Sequence, residues 1–504
     1  MSNFPTGFRC ALSVLGIFLF LNTLRAQEAA PENSLQKKPS NTATEAAKLR
    51  QELEALRRND AENRHKLRQL EKQMSELLQK QRDSLGAETR ESPQDALERT
   101  LREIKVTEAE STHASTDLYS KPIGAASFRL FDLFLASDVA AGTSSVADNE
   151  LSGLQAGEHD PNKRGFTVQE VELGFKAAID PYFTAEAYMI WFIDAEGESI
   201  LELEEAFATT QQLPWGFQMT AGHIYTEFGR LNSQHVHQWD WLDQPVITTR
   251  LMGPAGMRAP GARLGWLSPL PWYSEFLVGM QNASGETMAS FLSDREVFEG
   301  MFPDRPWVDQ DSRTLADFVY LLRWVNGFDV TNTISGIVGA SGTVGPNATG
   351  TDGRTTIGGA DLFFRWRPLE NDRGWPFVTW QSEFLWRKLF ADGTVDPASE
   401  GEIPSERIFD YGLYTQALYG FVQNWAGGLR FEHGTGSHGE NRQENPFRDD
   451  RFRISPLLVW YTSEFARVRF QFNYDNAAFL PDRHAYTAWV GLEFILGSHS
   501  AHTF

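Results

Sequence analysis

Cysteine is almost absent from this chain: 504 residues carry a single one, Cys10, inside an N-terminal segment that reads as a cleaved signal. The mature protein then has no thiol, which excludes disulfides, thiolate metal sites and cysteine nucleophiles together. Long apolar runs are missing too. The longest, ALSVLGIFLFL (11–21), falls well short of the roughly 20 residues a spanning helix needs, so a membrane helix bundle is excluded. Positive charge is in deficit. With 46 Lys and Arg against 67 Asp and Glu, the net charge of −21 argues against nucleic acid as a partner. No HExxH or Walker sequence is present, and Ser268 and Ser274 lack a nucleophile-elbow context. Neither an enzyme nor a bound cofactor is therefore expected.

The ends of the chain differ from its middle. Arg9, the apolar run 11–21 and Leu24-Arg25-Ala26 before Gln27 make residues 1–26 a secretory signal. Residues 27–43 are a polar lead-in expected to be disordered. In 44–82, Leu49, Leu53, Leu56, Leu67, Leu70, Met74 and Leu77 repeat at alternating spacings of three and four, with Asp60 and Asn63 at the two middle core positions. Such a heptad predicts an α-helical coiled coil and self-association. Residues 83–125 read as a linker.

From 126 to 504 the apolar period is two, the strand period. FARVRFQFNY (465–474) sets Phe465, Val468, Phe470, Phe472 and Tyr474 mostly on one side, Phe465 being out of phase, against Arg467, Arg469, Gln471 and Asn473 on the other. The pattern recurs in sixteen segments: 127–137, 165–179, 183–193, 200–210, 216–224, 260–267, 272–280, 314–324, 331–341, 355–366, 376–387, 407–419, 423–432, 452–462, 465–475 and 484–496. No helical pattern of 10–15 residues separates them, which argues against a parallel α/β arrangement. Tight turns such as Asp180-Pro181, Leu213-Pro214 and Phe421-Val422 alternate with long polar loops. Charges at the polar positions would be costly in a dry sandwich core. They suit the water-filled interior of a wide barrel. The expected fold is all-β: a transmembrane antiparallel barrel of about 16 strands, with 484–496 closing against 127–137 and the coiled coil in front. Trp215, Trp272, Tyr273, Trp375, Tyr461 and Tyr486 are expected in headgroup girdles.

GFTVQEVELGFKAAIDPYFTAEAYM, LELEEAFATTQQLPWGFQMTAGHIYTEFGRLN, HVHQWDW and PGARLGWLSPLPWY resemble a family of bacterial outer-membrane barrel proteins, called porin-like or, loosely, TonB-dependent-receptor-like. The ending GSHSAHTF is similar to that family's tail, and the layout of signal, coil and barrel is similar to phosphate-selective-type porins. The resemblance spans about 125–504. It implies an outer-membrane location, assembly by the outer-membrane barrel machinery and passive passage of small hydrophilic solutes or ions.

A passive porin, trimeric in outer-membrane lipid with its coil in the periplasm, is the leading expectation. A structural barrel tethered through its coil to peptidoglycan is the second, and TonB-type uptake or metal-related transport the third. The inward charges Glu170, Glu172, Glu186, Glu202, Glu204, Arg467 and Arg469 are expected to line the pore. Segment 225–259, carrying Arg230, Arg250 and Arg258, is expected to fold inward as a constriction loop. The histidine pairs His235/His237 and His499/His502 invite a metal reading, but two histidines fall short of the three or four ligands of a zinc site, so no metal is expected from them alone.

Overall fold

A computed structural model describes residues 120–123, 126–129 and 131–497, apart from 195–196, 303–304, 311, 313, 396–400 and 437–447. The signal, lead-in and coiled coil, most of the linker, and His438, His499, His502 and Phe504 lie outside the described residues.

Ahead of the barrel, β1 (Ser120–Ile123) pairs antiparallel with β2 (Ala126–Arg129). Sixteen strands then form one closed antiparallel barrel. The first eight are β3 (Asp132–Ser144), β4 (Gly165–Ala178), β5 (Phe183–Ile193), β6 (Ser199–Thr210), β7 (Phe217–Tyr225), β8 (Arg258–Leu267), β9 (Tyr273–Asn282) and β10 (Phe318–Thr331). β11 (Ile334–Pro346), β12 (Arg354–Trp366) and β13 (Phe377–Ala391) follow, and after a side hairpin of β14 (Thr394–Val395) and β15 (Glu402–Ile403) come β16 (Glu406–Val422), β17 (Trp425–Gly436), β18 (Arg451–Ser463), β19 (Ala466–Ala477) and β20 (His484–Gly497). Each barrel strand pairs with the next, and β20 closes on β3 from Gly497↔Phe134 to Thr487↔Ser144.

All sixteen expected strands are present, with shifted boundaries. The apolar run 127–137 straddles two elements, since 126–129 belongs to the outlying hairpin and the barrel strand runs from Asp132 to Ser144. Its small residues at 140–144 read as loop because AAGTS offers no large apolar side chains to alternate. They are small for a packing reason. Gly142 faces Trp489 of β20, and a Cβ there would lie 2.1 Å from the indole ring. The turn expected at Phe421-Val422 falls at 423–424, with Asn424 in the left-handed region (φ 69°). The count also separates the chain from TonB-dependent receptors, whose barrels have 22 strands.

Connections alternate in length only in part: 194–198, 347–353 (expected as a long loop) and 478–483 are short although they lie at the end that carries the long loops. At one end lie 179–182, 211–216, 268–272, 332–333, 367–376, 423–424 and 464–465; at the other lie the longer 145–164, 226–257, 283–317, 392–405 and 437–450. Three of the longer ones carry short helices: α1 (Asp148–Leu154), α2 (Val246–Met252) and α3 (Arg295–Met301).

The apolar stripe of the strands faces outward. On β19 and β20, Phe470, Phe472, Tyr486, Val490 and Leu492 are exposed, while Arg469, Gln471, Asn473, Thr487, Trp489 and Glu493 are buried inward. At the short-turn end an outward ladder of rings crosses four strands: Phe217 stacks on Trp266, Trp266 on Phe276 and Phe276 on Trp324, with centroids 6.3, 5.8 and 5.7 Å apart. Phe364–Trp380 and Trp425–Trp460 continue the band at 5.8 Å each. Of the expected girdle residues, Trp215, Trp272, Tyr273 and Tyr486 are exposed. Trp375 and Tyr461 are not: they pack against Trp241, Leu418 and Leu457 at the mouth of the interior. Period-two patterning loses its phase at a turn, so the side on which a turn residue lands is open.

Candidate functional site: the inward loop

Strands β7 and β8 pair up to Tyr225↔Arg258, and the chain between them, 226–257, folds into the barrel. Pro245 ahead of α2 and Gly253 behind it (φ 94°) bound one short helical turn. The rest is held partly by its own hydrogen bonds, such as those of Asn232 with the Thr226 and Met257 backbone, and partly by anchors from several parts of the sheet.

The charged half of the interior grips Asp243. Its carboxylate pairs with Arg430 of β17 and accepts from Arg453 Nη1 of β18 at 2.8 Å, from Gln471 Nε2 and Asn473 Nδ2 of β19 at 2.8 Å each, and from Gln155 Nε2 at 3.1 Å. Burial by itself would raise its pKa. Arg430 and Arg453 outweigh that and hold it well below the usual carboxylate range. Burial and the proximity of Asp243 instead push Asp160, in 145–164, up to about 7. Backbone groups of the loop are also taken up. Arg467 donates to the carbonyls of His237 (2.9 Å) and Trp239 (2.7 Å), Arg469 to that of Trp239 (2.9 Å), and Trp241 Nε1 to Ser455 O (3.0 Å). Glu432 Oε2 accepts from Val246 N at 2.6 Å.

The opposite half is apolar. Phe228, Leu231, Val236, Ile247 and Leu251 of the loop pack with Leu321, Ile357, Leu385 and Tyr414 of the wall. Two polar pins cross this core: Gly229 N donates to Ser341 Oγ at 3.1 Å and Leu231 N to Glu383 Oε1 at 2.8 Å. Glu383 Oε1 in turn accepts from Tyr414 OH at 2.6 Å. Arg387 reaches Asp410 Oδ2 at 2.7 Å and the Arg250 carbonyl at 3.3 Å.

The expected pore-lining residues meet here in unequal ways. Glu186 (β5) sits part-buried and pairs with Lys176 at 2.9 Å. Glu202 (β6) pairs with Arg258, which is fully buried against the Tyr225 hydroxyl. Arg230 lies over the Phe363 ring at 4.0 Å, and Arg250 donates to the Arg448 carbonyl at 3.0 Å. Arg467 reaches Glu493 at 2.6 Å, and Arg469 pairs with Asp138. Glu170, Glu172, Glu204 and Arg469 face inward yet are almost wholly buried, because the loop occupies the space that the strand pattern assigns to water.

Toward the short turns the loop leaves a cavity of about 440 Å³, lined by Arg230, Asp240, Arg365, Arg367, Arg373, Trp375, Gln381, Arg467 and Glu493 among others. Its lining carries more arginine than carboxylate. Sequence reasoning missed Arg365, Arg367 and Arg373, which sit at a strand end and turn where alternation carries no signal. It also missed Glu205. A bulge opposite Tyr188/Met189 lets both Glu204 and Glu205 face inward, which strict alternation forbids.

No protein-family model matches the chain. An uncharacterized protein of Aquifex aeolicus is 28% identical over 432 residues, 80% of this chain and 87% of that protein. Among solved structures, the outer membrane protein OmpT of Vibrio cholerae in a trimer form aligns with a TM-score of 0.44 at 6% identity, over 73% of this chain and 99% of its own. The outer membrane channel DcaP of Acinetobacter baumannii aligns at 0.44 and 10%, over 73% and 96%. An anion-selective porin from Comamonas acidovorans aligns at 0.43 and 8%, over 73% and 99%.

Proposed function

We propose that this protein is an outer-membrane porin whose 226–257 loop sets the width of a passive pathway for small hydrophilic solutes or ions. The observation that carries the reading is the loop itself: one long connection turned into a closed sixteen-stranded barrel and anchored to opposite walls. A barrel of this strand number encloses more space than its own side chains fill, and an inward loop is the means of narrowing it. Support for lipid comes from the outward stripe and ring band, since a closed barrel is the one sheet that leaves no backbone group unpaired in hydrocarbon. The signal segment 1–26 supports export, and the heptads of 44–82 support self-association, with a trimer the form we favour.

Planar-bilayer recording on the detergent-purified chain tests the function. Discrete conductance steps are expected, and a barrel that inserts without conducting would end the porin reading. The membrane orientation has its own check. Phe470→Arg places a charge on the outward face of β19 and should cost about 2–4 kcal/mol if that position lies near the bilayer midplane. The loss would be read as a lower unfolding midpoint in lipid; no loss would mean that this face does not meet hydrocarbon.

A further inference from the structure

We propose that the loop is clipped to the barrel wall by a divalent transition-metal ion held by Glu170 and Glu172 of β4 and the imidazole of His237. Donor atoms from three overlapping trios, His159/Glu170/Glu204, Glu170/Glu172/His237 and Glu172/Glu204/His235, lie within 4.8 Å of one another in each trio. All six side chains are buried. Three carboxylates this close in a dry site repel unless a proton or a cation stands between them.

The neighbours answer two of the three. Glu204 accepts from Tyr225 OH at 2.7 Å and faces His235 Nδ1 at 2.7 Å; Glu172 lies 2.6 Å from His237 Nδ1. Glu170 is different. It is 1% exposed, and among the described residues neither of its carboxylate oxygens has a hydrogen-bond partner. His159 Nδ1 stands 3.9 Å from Oε2, and that nitrogen is already 3.1 Å from the Gln169 carbonyl. A fully buried carboxyl with both oxygens idle, aimed into a cluster of imidazoles and carboxylates, offers a cation two unused donor atoms. The imidazole among the oxygen donors favours zinc-class ions over calcium or magnesium, which prefer oxygen alone. Because His237 arrives on the loop and the glutamates on the wall, the ion binds as the loop docks.

The test uses the full chain in detergent, stripped with a chelator and then equilibrated with Zn²⁺ alone. One tightly held zinc per chain is expected by elemental analysis after dialysis, with a raised unfolding midpoint. Calcium in excess should not displace it. Glu170→Gln and His237→Gln should each weaken retention by roughly tenfold or more, while a His499→Ala/His502→Ala tail variant keeps it. Heat-dependent electrophoretic mobility reports whether each variant is folded. The proposal is overturned if folded wild-type protein retains no zinc, a result that needs no variant. It is equally overturned if the folded Glu170→Gln and His237→Gln proteins retain zinc as the wild type does. None of these readouts requires the barrel to conduct.

Discussion

Replacing 226–257 with a short Asn-Gly turn should raise single-channel conductance roughly two- to fivefold, in proportion to the lumen cross-section released. The change is geometrically mild. Tyr225 and Arg258 are already paired across β7 and β8, so a tight hairpin turn can join the strands without altering the barrel. What leaves is the material that fills the interior: the apolar core around Phe228, Leu231 and Ile247 on one side and the Asp243 anchor on the other. The barrel itself keeps its sixteen-strand ladder, so heat-dependent mobility should still report a folded form, with a lower midpoint. Unchanged conductance in a folded variant would sink the assignment of this loop as the constriction.

Asp243→Asn is expected to cost about 3–5 kcal/mol of loop docking, the range for breaking one side of a buried ionic network. The carboxylate answers both Arg430 and Arg453, while Glu432 and Asp475 also serve those arginines. An amide is nearly isosteric but neutral, so two guanidinium groups lose their shared charge partner in a site closed to water. The loss should appear as protease sensitivity of the loop and as noisier conductance. The pH dependence has a definite sign. The native pKa of Asp243 is depressed, whereas an unfolded aspartate titrates near 3.9. Its contribution is therefore whole above about pH 4 and is lost only as pH falls through the lower native value. Wild-type loop protection should hold down to about pH 4, and the variant should lack it at every pH above that. A wild type that loosens between pH 7 and 5 would show that Asp243 is not the anchor, since Asp160, pushed up to about 7, acts in the opposite sense and favours the docked loop as pH falls through that range.

Much of this architecture is written in local pattern. In FARVRFQFNY the placing of Val468, Phe470 and Phe472 at one parity and Arg467, Arg469, Gln471 and Asn473 at the other settles strand and face together, because a strand turns each successive side chain to the opposite side. The count of sixteen and the closure of the last strand on the first follow from repeating that rule along the chain. The inward turn of 226–257 is legible as well, from its length and its unusual density of charge, histidine and tryptophan.

Side-chain partnership is a different matter. Arg469 looks like a residue that lines water, yet it is buried against Trp239 O and Asp138. Its surroundings are set by a loop more than 200 positions away. Trp375 and Tyr461 look like girdle residues and instead close the mouth of the cavity. Two histidines in HVHQWDW fall short of a metal site, while Glu170, Glu172 and Glu204 come to them from β4 and β6. The sequence by itself determined the strands, their faces and the barrel, since these depend on period and on what each side chain tolerates next to hydrocarbon or water. Only the tertiary structure decided which inward charges stay wet and which are sealed, because that depends on where one long loop comes to rest inside the closed sheet.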